Sequence, residues 1–353
     1  MHAQRSDPGS GRILYLDGWR ALAIGGVIID HFGTSRGINL GRLGVELFFV
    51  LSGRLMAQIL FVERSALRPF FYRRFSRVWP TMATLIVVLI LLSWLVHKPL
   101  IDRFEVISAL TYTYNYASFA HRTGMIDHLW SLCVEEHTYL FLGMLALVAR
   151  RFPRCLWPVL LTVLFANVID GAFSTFRLNQ DYYAAFWRTD VRMGSILMGT
   201  AAFMLKRQGV FQVSGNWPLA IGLFGLILNI NFVPDPVKYS IGSACLALAV
   251  ANVDNATLAV KKLLSGRAVV WVGLLSFSLY IWQQPFAELW PHSLVLRIPR
   301  LAGAFACAIA SYYFIERPAR RWLNAHPPRW ARNKPLEMLA RSDAVARADP
   351  KTS

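Results

Sequence analysis

Charge is scarce in this chain. Of its 353 residues only 16% are Asp, Glu, Lys or Arg, against about 25% in a soluble domain. Acids are scarcer than bases, 20 against 37, and the formal net charge is +17. Cysteine is scarce too. Cys133, Cys155, Cys245 and Cys307 fall in or beside apolar stretches. They show no metal spacing and no disulfide framework, so they read as small buried hydrophobes. No polar stretch is long enough for a second folded domain, and no internal repeat is evident. The first apolar segment lacks a small-residue cleavage site and contains Asp17 and Arg20. That argues against a removable signal peptide and for an uncleaved anchor.

What fills the chain is apolar. Hydrophobic residues make up 55% of it, and apolar runs of roughly twenty residues recur along its length, which predicts transmembrane helices. Ten are expected, at about 14–33, 41–62, 79–97, 128–149, 155–170, 185–205, 217–233, 239–253, 269–290 and 298–315. The fold class is therefore an all-α integral membrane bundle. Tyr112–Phe119 is polar and brief, and reads as a surface or re-entrant piece. Placing the N-terminus in the cytoplasm puts 24 of the 37 Lys and Arg on cytoplasmic segments, in agreement with the positive-inside rule and with both termini inside. Topology thus accounts for the high pI, and nucleic acid is not expected as a partner. The domain is expected over 14–322. Residues 323–353, rich in Pro, Arg, Ala and Asp, read as a flexible basic cytoplasmic tail.

A permanent cation and an imidazole share the first span. Arg20 and His31 are eleven positions apart, so on a helix they point the same way roughly 16 Å apart. Ionisable groups in lipid are costly, and their default reading is functional.

Five motifs appear in order: LDGWRALAIGGVIIDHF, LGVELFFVLSG, RRFSRVWP, HLWSLCVEEHTYL and LLSFSLYIWQQPF, with YYFIERPAR closing the series. In these the chain resembles membrane acyltransferase family 3, over about residues 14–322. Members include O-antigen and exopolysaccharide O-acetylases. The resemblance implies transfer of an acyl group, usually acetyl from acetyl-CoA, to a hydroxyl of a sugar-containing acceptor. That acceptor is a surface polysaccharide, its lipid-linked precursor or a glycosylated small molecule. It implies a multi-pass protein of the bacterial inner membrane, with membrane lipid around it and no metal.

Such chemistry needs a base for the hydroxyl proton, a thioester held nearby and a stabilised oxyanion. His31 is the natural base, since imidazole titrates near neutrality; the family's Arg-x10-His pattern falls on Arg20 and His31. Arg20 is expected to hold the donor or to pair with Asp17. Arg73, Arg74 and Arg77 stand in the expected cytoplasmic segment before the third span, where phosphate groups of coenzyme A would meet guanidinium. Basic residues at a cytoplasmic helix end are equally expected from topology. His128, Ser131 and Glu135 form one stripe. Glu135 is expected to face the bundle and orient His31, or else to pair with a structural Arg such as Arg192. Trp130 and Ser131 are expected to shape the acceptor site, and Trp130 equally serves as an interfacial anchor. Gln283 and Gln284 stand where many relatives carry His, and an amide there can bond a sugar hydroxyl or the thioester. Arg54 departs from the family pattern. Ser52 and Gly53 allow close helix approach. Glu316 and Arg317 are expected to pair at the cytoplasmic end. The rival class is a polytopic transporter or flippase of a glycan or small molecule; the absence of matching halves speaks against it.

Overall fold

The computed structural model of the protein describes residues 13–33, 37–117, 122–176, 185–289 and 294–332. Its described residues are helical, with two isolated bridges, Ile38 to Ile230 and Gly215 to Ala256, and no strand. The helices are α1 (Leu14–Phe32), α2 (Leu40–Met56), α3 (Leu67–Leu95), α4 (Arg103–Leu110), α5 (Trp130–Arg151), α6 (Leu156–Phe176) and α7 (Thr189–Arg207). There follow α8 (Trp217–Ile227), α9 (Ser243–Asn252), α10 (Leu258–Leu264), α11 (Arg267–Glu288), α12 (Leu294–Ser311) and α13 (Arg317–Ala325). π-helical turns extend α2 through Val62, lead into α9 from Lys238 and join α12 to α13 through Glu316.

Each of the ten expected apolar segments overlaps a helix. Six helices are long and apolar enough to cross a membrane, and a seventh qualifies if α10 and α11, bent by 53°, count as one span. α8, at 11 residues, is shorter than its expected segment. The charges on α1, which include Asp17, Arg20 and Asp30, explain why that helix is not among the six.

Three expectations change. First, α3 begins at Leu67, not near residue 79, so RRFSRVWP is helical and Pro80 lies inside the helix. Between Ala66 and Pro80 the only breaker is Pro69, which sits in the first turn, where a missing N–H costs nothing. Second, of the two readings of the Tyr112–Phe119 stretch, surface or re-entrant, the surface one does not hold for Tyr114 and Asn115, which are buried. Asn115 donates to the Trp187 carbonyl at 3.2 Å and to Thr189 Oγ1 at 2.9 Å. Residues 118 and 119 of that stretch lie outside the described residues. Third, the chain after Trp322 begins as structure: α13 runs on to Ala325, and the Trp330 ring meets Tyr72 edge-on at 5.7 Å. Residues 333–353 lie outside the described residues.

α1 packs between α2 and α11, α2 packs on α7, and α7 in turn packs on α6 and α9. Small residues set these distances. A Cβ on Gly53 would stand 2.0 Å from the Ile196 carbonyl oxygen, and one on Gly273 would stand 2.0 Å from that of Asp17. Backbones this close leave van der Waals contact to drive association where lipid offers no hydrophobic force. Asn39 caps α2 by accepting from the Arg42 N–H at 2.8 Å. The bundle has two chemically distinct ends. The C-terminus of α1 and the N-termini of α2 and α5 meet at what we call the histidine end. The N-terminus of α3 and the C-termini of α2 and α5 meet at the arginine end.

Candidate active site

Three cavities follow one another through the bundle. At the histidine end lies one of about 280 Å³, with His31, His128, Trp130 and Gln284 on its wall. In the middle lies one of about 70 Å³, bounded by Arg20, Ser52, Arg77, Ser131, Glu135 and Ser276. At the arginine end lies one of about 340 Å³, bounded by Arg73, Arg74, Arg77, Arg320 and Asn324. The first two share Val45 and Tyr280; the last two share Leu55, Arg74 and Arg77.

His31 is positioned by α11. Its Nδ1–H donates to Gln283 Oε1 at 2.5 Å, leaving Nε2 as the basic nitrogen. A histidine oriented through one nitrogen and basic at the other is the geometry general-base catalysis needs. The orienting group is thus an amide on α11, not the carboxylate of Glu135. Gln284, the next residue, also reaches the histidine-end cavity, and its Nε2 donates to the Gly124 carbonyl at 3.2 Å.

Glu135 is engaged elsewhere. It accepts from Ser52 Oγ at 3.0 Å, from Tyr139 at 2.7 Å and from Arg74 at 3.2 Å. Arg74 also meets Glu136 at 3.0 Å, and its guanidinium lies 4.2 Å from the Tyr139 ring centre. Arg192, the alternative partner, is fully buried in an ion pair with Glu46, whose other oxygen accepts from Ser243 at 2.6 Å. The carboxylate and arginine on neighbouring helices hold one another, because neither can stay ionised alone in a dry interior.

The basic residues divide by their partners. Arg20 pairs with Asp17 at 2.8 Å and also lines the middle cavity, so both expected roles are geometrically open to it. Arg73 is exposed and donates to the Pro69 carbonyl at 3.3 Å. Arg77 makes no ion pair among the described residues, and it stands on the wall between the middle and arginine-end cavities. Arg54 is buried in a polar network. It donates to the Val250 carbonyl and pairs at 2.7 Å with Asp254, which Lys206 and Tyr15 also bind at 2.7 Å. That network ties α1, α2, α7 and α9 together at the arginine end. Glu316 accepts from Ser278 at 2.7 Å rather than pairing with Arg317.

Trp130 and Ser131 part ways. Trp130 faces the histidine-end cavity and stacks on Trp187, with ring centres 5.9 Å apart and planes 5° from parallel. Ser131 faces the middle cavity and shares a 2.6 Å hydrogen bond with Tyr280. Tyr280 also donates to the His128 carbonyl at 2.8 Å, which fixes it between the two cavities. Tyr280 was not singled out from sequence, yet it stands at i−3 and i−4 from Gln283 and Gln284 on one helix face, and that spacing marks it. Asp30, Asp127 and Glu288 on the histidine-end wall were missed as well; each falls at a helix end, where charge carries little signal of its own. At the rim, Tyr114 donates to Asp127 at 2.6 Å and to Glu105 at 3.1 Å. Burial, then the charge of Asp127, pushes the Tyr114 phenol well above its usual value, so it remains a donor.

A protein-family profile described as an acyltransferase domain matches residues 13–316. The chain is 27% identical to the peptidoglycan O-acetyltransferase OatA of Listeria monocytogenes, over 87% of this chain and 55% of that protein. It is 28% identical to a putative O-acetyltransferase of Staphylococcus aureus, over 90% and 60% of the two chains. It is 26% identical to the O-acetyltransferase OatA of Staphylococcus aureus, over 91% and 58%. The chain thus spans a little over half the length of these relatives. No solved structure matches it.

Proposed function

The chain belongs to this acyltransferase family, and on that premise we propose that it is a membrane O-acyltransferase. It moves an acyl group, acetyl by preference, from acyl-CoA to a hydroxyl of a sugar-containing acceptor. The observation that carries the reading is the line of three cavities, with Arg77, which makes no ion pair among the described residues, on one partition and an oriented imidazole at the far end.

The arginine end faces the cytoplasm, where acyl-CoA is made, and both termini lie on that side of a bacterial inner membrane crossed ten times. Arg73, Arg77 and Arg320 meet the nucleotide phosphates, and the thin pantetheine arm runs past Arg20 into the middle cavity. The acceptor enters at the histidine end. His31 Nε2 takes the hydroxyl proton as the oxygen attacks the thioester carbonyl. The C–S bond then breaks, and the thiolate leaves with that proton as free CoA. Direct attack and passage through a histidine-bound acyl group give the same products and the same need for His31. Glu135 acts from a distance: it fixes Arg74 beside Arg77 and leaves Arg77 to the donor.

Purified protein given acetyl-CoA and glycan acceptors is expected to release free CoA. His31→Ala should abolish that release without lowering the amount of protein in the membrane. A fully active His31→Ala variant ends the mechanism, and acceptor uptake without thiol release would favour a transporter.

A further inference from the structure

The histidine-end cavity is acidic in a strongly basic protein. Three carboxylates, Asp30, Asp127 and Glu288, stand on its wall against one guanidinium, Arg42. Arg42 is itself paired with Asp235 at 3.4 Å. Arg122 lies just beyond Asp127, over the Trp187 ring at 4.0 Å, and Glu105 lies on the same side. Among the described residues the local balance is negative, opposite in sign to the chain's net charge of +17.

A second observation points to a ligand here. His128 is only 5% exposed, and among the described residues neither of its ring nitrogens has a hydrogen-bond partner. The Ile281 backbone lies beside the ring without closing a hydrogen bond of normal geometry. A buried polar group left unsatisfied is costly, and this one fronts the cavity that holds His31. The ring rests edge-on against Tyr280 at 5.3 Å, so it is held in place. Trp130 and Trp187, stacked on each other, add apolar groups to the same wall. The volume of about 280 Å³ corresponds to roughly nine waters at ~30 Å³ each, enough for one sugar ring.

We propose that this cavity selects its acceptor by charge: it seats a neutral or amine-bearing sugar, hydrogen-bonded by His128, and excludes a sugar bearing a carboxylate or phosphate. The inference rests on the acyltransferase reading for what happens to that sugar, but not for what binds. A like-charge contact in a desolvated site costs far more than one in water. Long-range attraction to the protein as a whole would favour anions, so a preference for cations must come from the cavity itself.

The test is calorimetric titration of the purified full chain with three tetrasaccharides: of glucosamine, of N-acetylglucosamine and of galacturonate. The glucosamine tetramer should bind at least about tenfold more tightly than the galacturonate tetramer, with the N-acetylated one between. Asp30→Asn and Glu288→Gln, singly and together, should narrow that gap progressively. His128→Phe, which keeps the ring's shape, should weaken all three alike. Equal or tighter binding of the galacturonate tetramer, an unchanged gap in the carboxylate variants, or no binding of any tetramer overturns the proposal. Free CoA released in parallel assays separates the two readings. Charge-selective binding without thiol release removes the acyltransferase reading alone, and thiol release with all three acceptors at equal affinity removes the selectivity alone.

Discussion

The residue that organises the site is Gln283. It sits 252 positions from His31 in the chain and makes the 2.5 Å contact that leaves Nε2 of the imidazole basic. Gln283→Leu removes the acceptor for Nδ1–H and frees the ring to rotate or to take the wrong tautomer. The rate of acyl transfer should fall by about 10²-fold, by analogy with the loss of a base-orienting group elsewhere. Gln283→Glu keeps an acceptor oxygen in place and should retain most of the activity. Steady-state thiol release from both variants checks this; equal activity of Gln283→Leu and the parent would show that the contact does not matter. His31 itself was legible in the sequence, because an ionisable group inside an apolar run stands out against its surroundings. Its partner was not. An amide in a helix carries no signal of its own, and the habit of pairing imidazole with carboxylate pointed to Glu135, which Ser52, Arg74 and Tyr139 in fact hold. Glu46 and Arg192, buried against each other on α2 and α7, escaped pairing for the same reason: nothing local links residues 146 positions apart.

At the scale of elements, α2 is the central rod. It touches α1 along one side and α7 along another, and Gly53 makes the second contact possible. Thr200 Oγ1 donates to the Gly53 carbonyl at 3.0 Å, which fastens the crossing. Gly53→Leu drives a side chain into the Ile196 carbonyl, and backbone cannot yield as a flexible side chain does. We expect a loss of at least about 2 kcal/mol, read as a lower unfolding temperature in detergent together with loss of activity. Gly25→Ala, where a Cβ meets nothing within 4 Å, serves as the neutral comparison. Helix positions were largely legible, since apolar runs of spanning length mark them directly. Helix starts were less so. The basic residues before Trp79 are expected in a cytoplasmic segment outside the third span, because charge reads as topology. Yet arginine is a good helix former, and α3 carries all three of Arg73, Arg74 and Arg77 on its first turns. α4 was missed because it is short and mixed in composition, although Asp102 and Glu105 form its capping box.

For the whole molecule, the arrangement that matters is a set of cavities in series. The narrowest is the middle one, at about 70 Å³, and it meets the arginine-end cavity at Leu55, Arg74 and Arg77. Filling that junction should stop the donor's arm while leaving both outer cavities intact. Leu55→Trp is expected to abolish acyl transfer yet leave acceptor binding within about threefold of the parent, a small change on the scale of a lost contact. Activity at the parental level in that variant would mean that the thioester reaches His31 by another path. No property of the sequence disclosed the cavities themselves. They lie where side chains from α1, α2, α3, α5 and α11 fail to fill the space between them, and only the packed molecule shows such gaps.

The partition between the middle and histidine-end cavities carries one more consequence. Tyr280 is pinned there by Ser131 and by the His128 carbonyl, and its side chain lines both cavities. A water-filled bore running from one face of a bilayer to the other would let protons cross unchecked and would drain the gradient the cell lives on. A phenol latched on both sides narrows such a bore: the thioester and the hydroxyl can meet beside it while the membrane stays electrically tight.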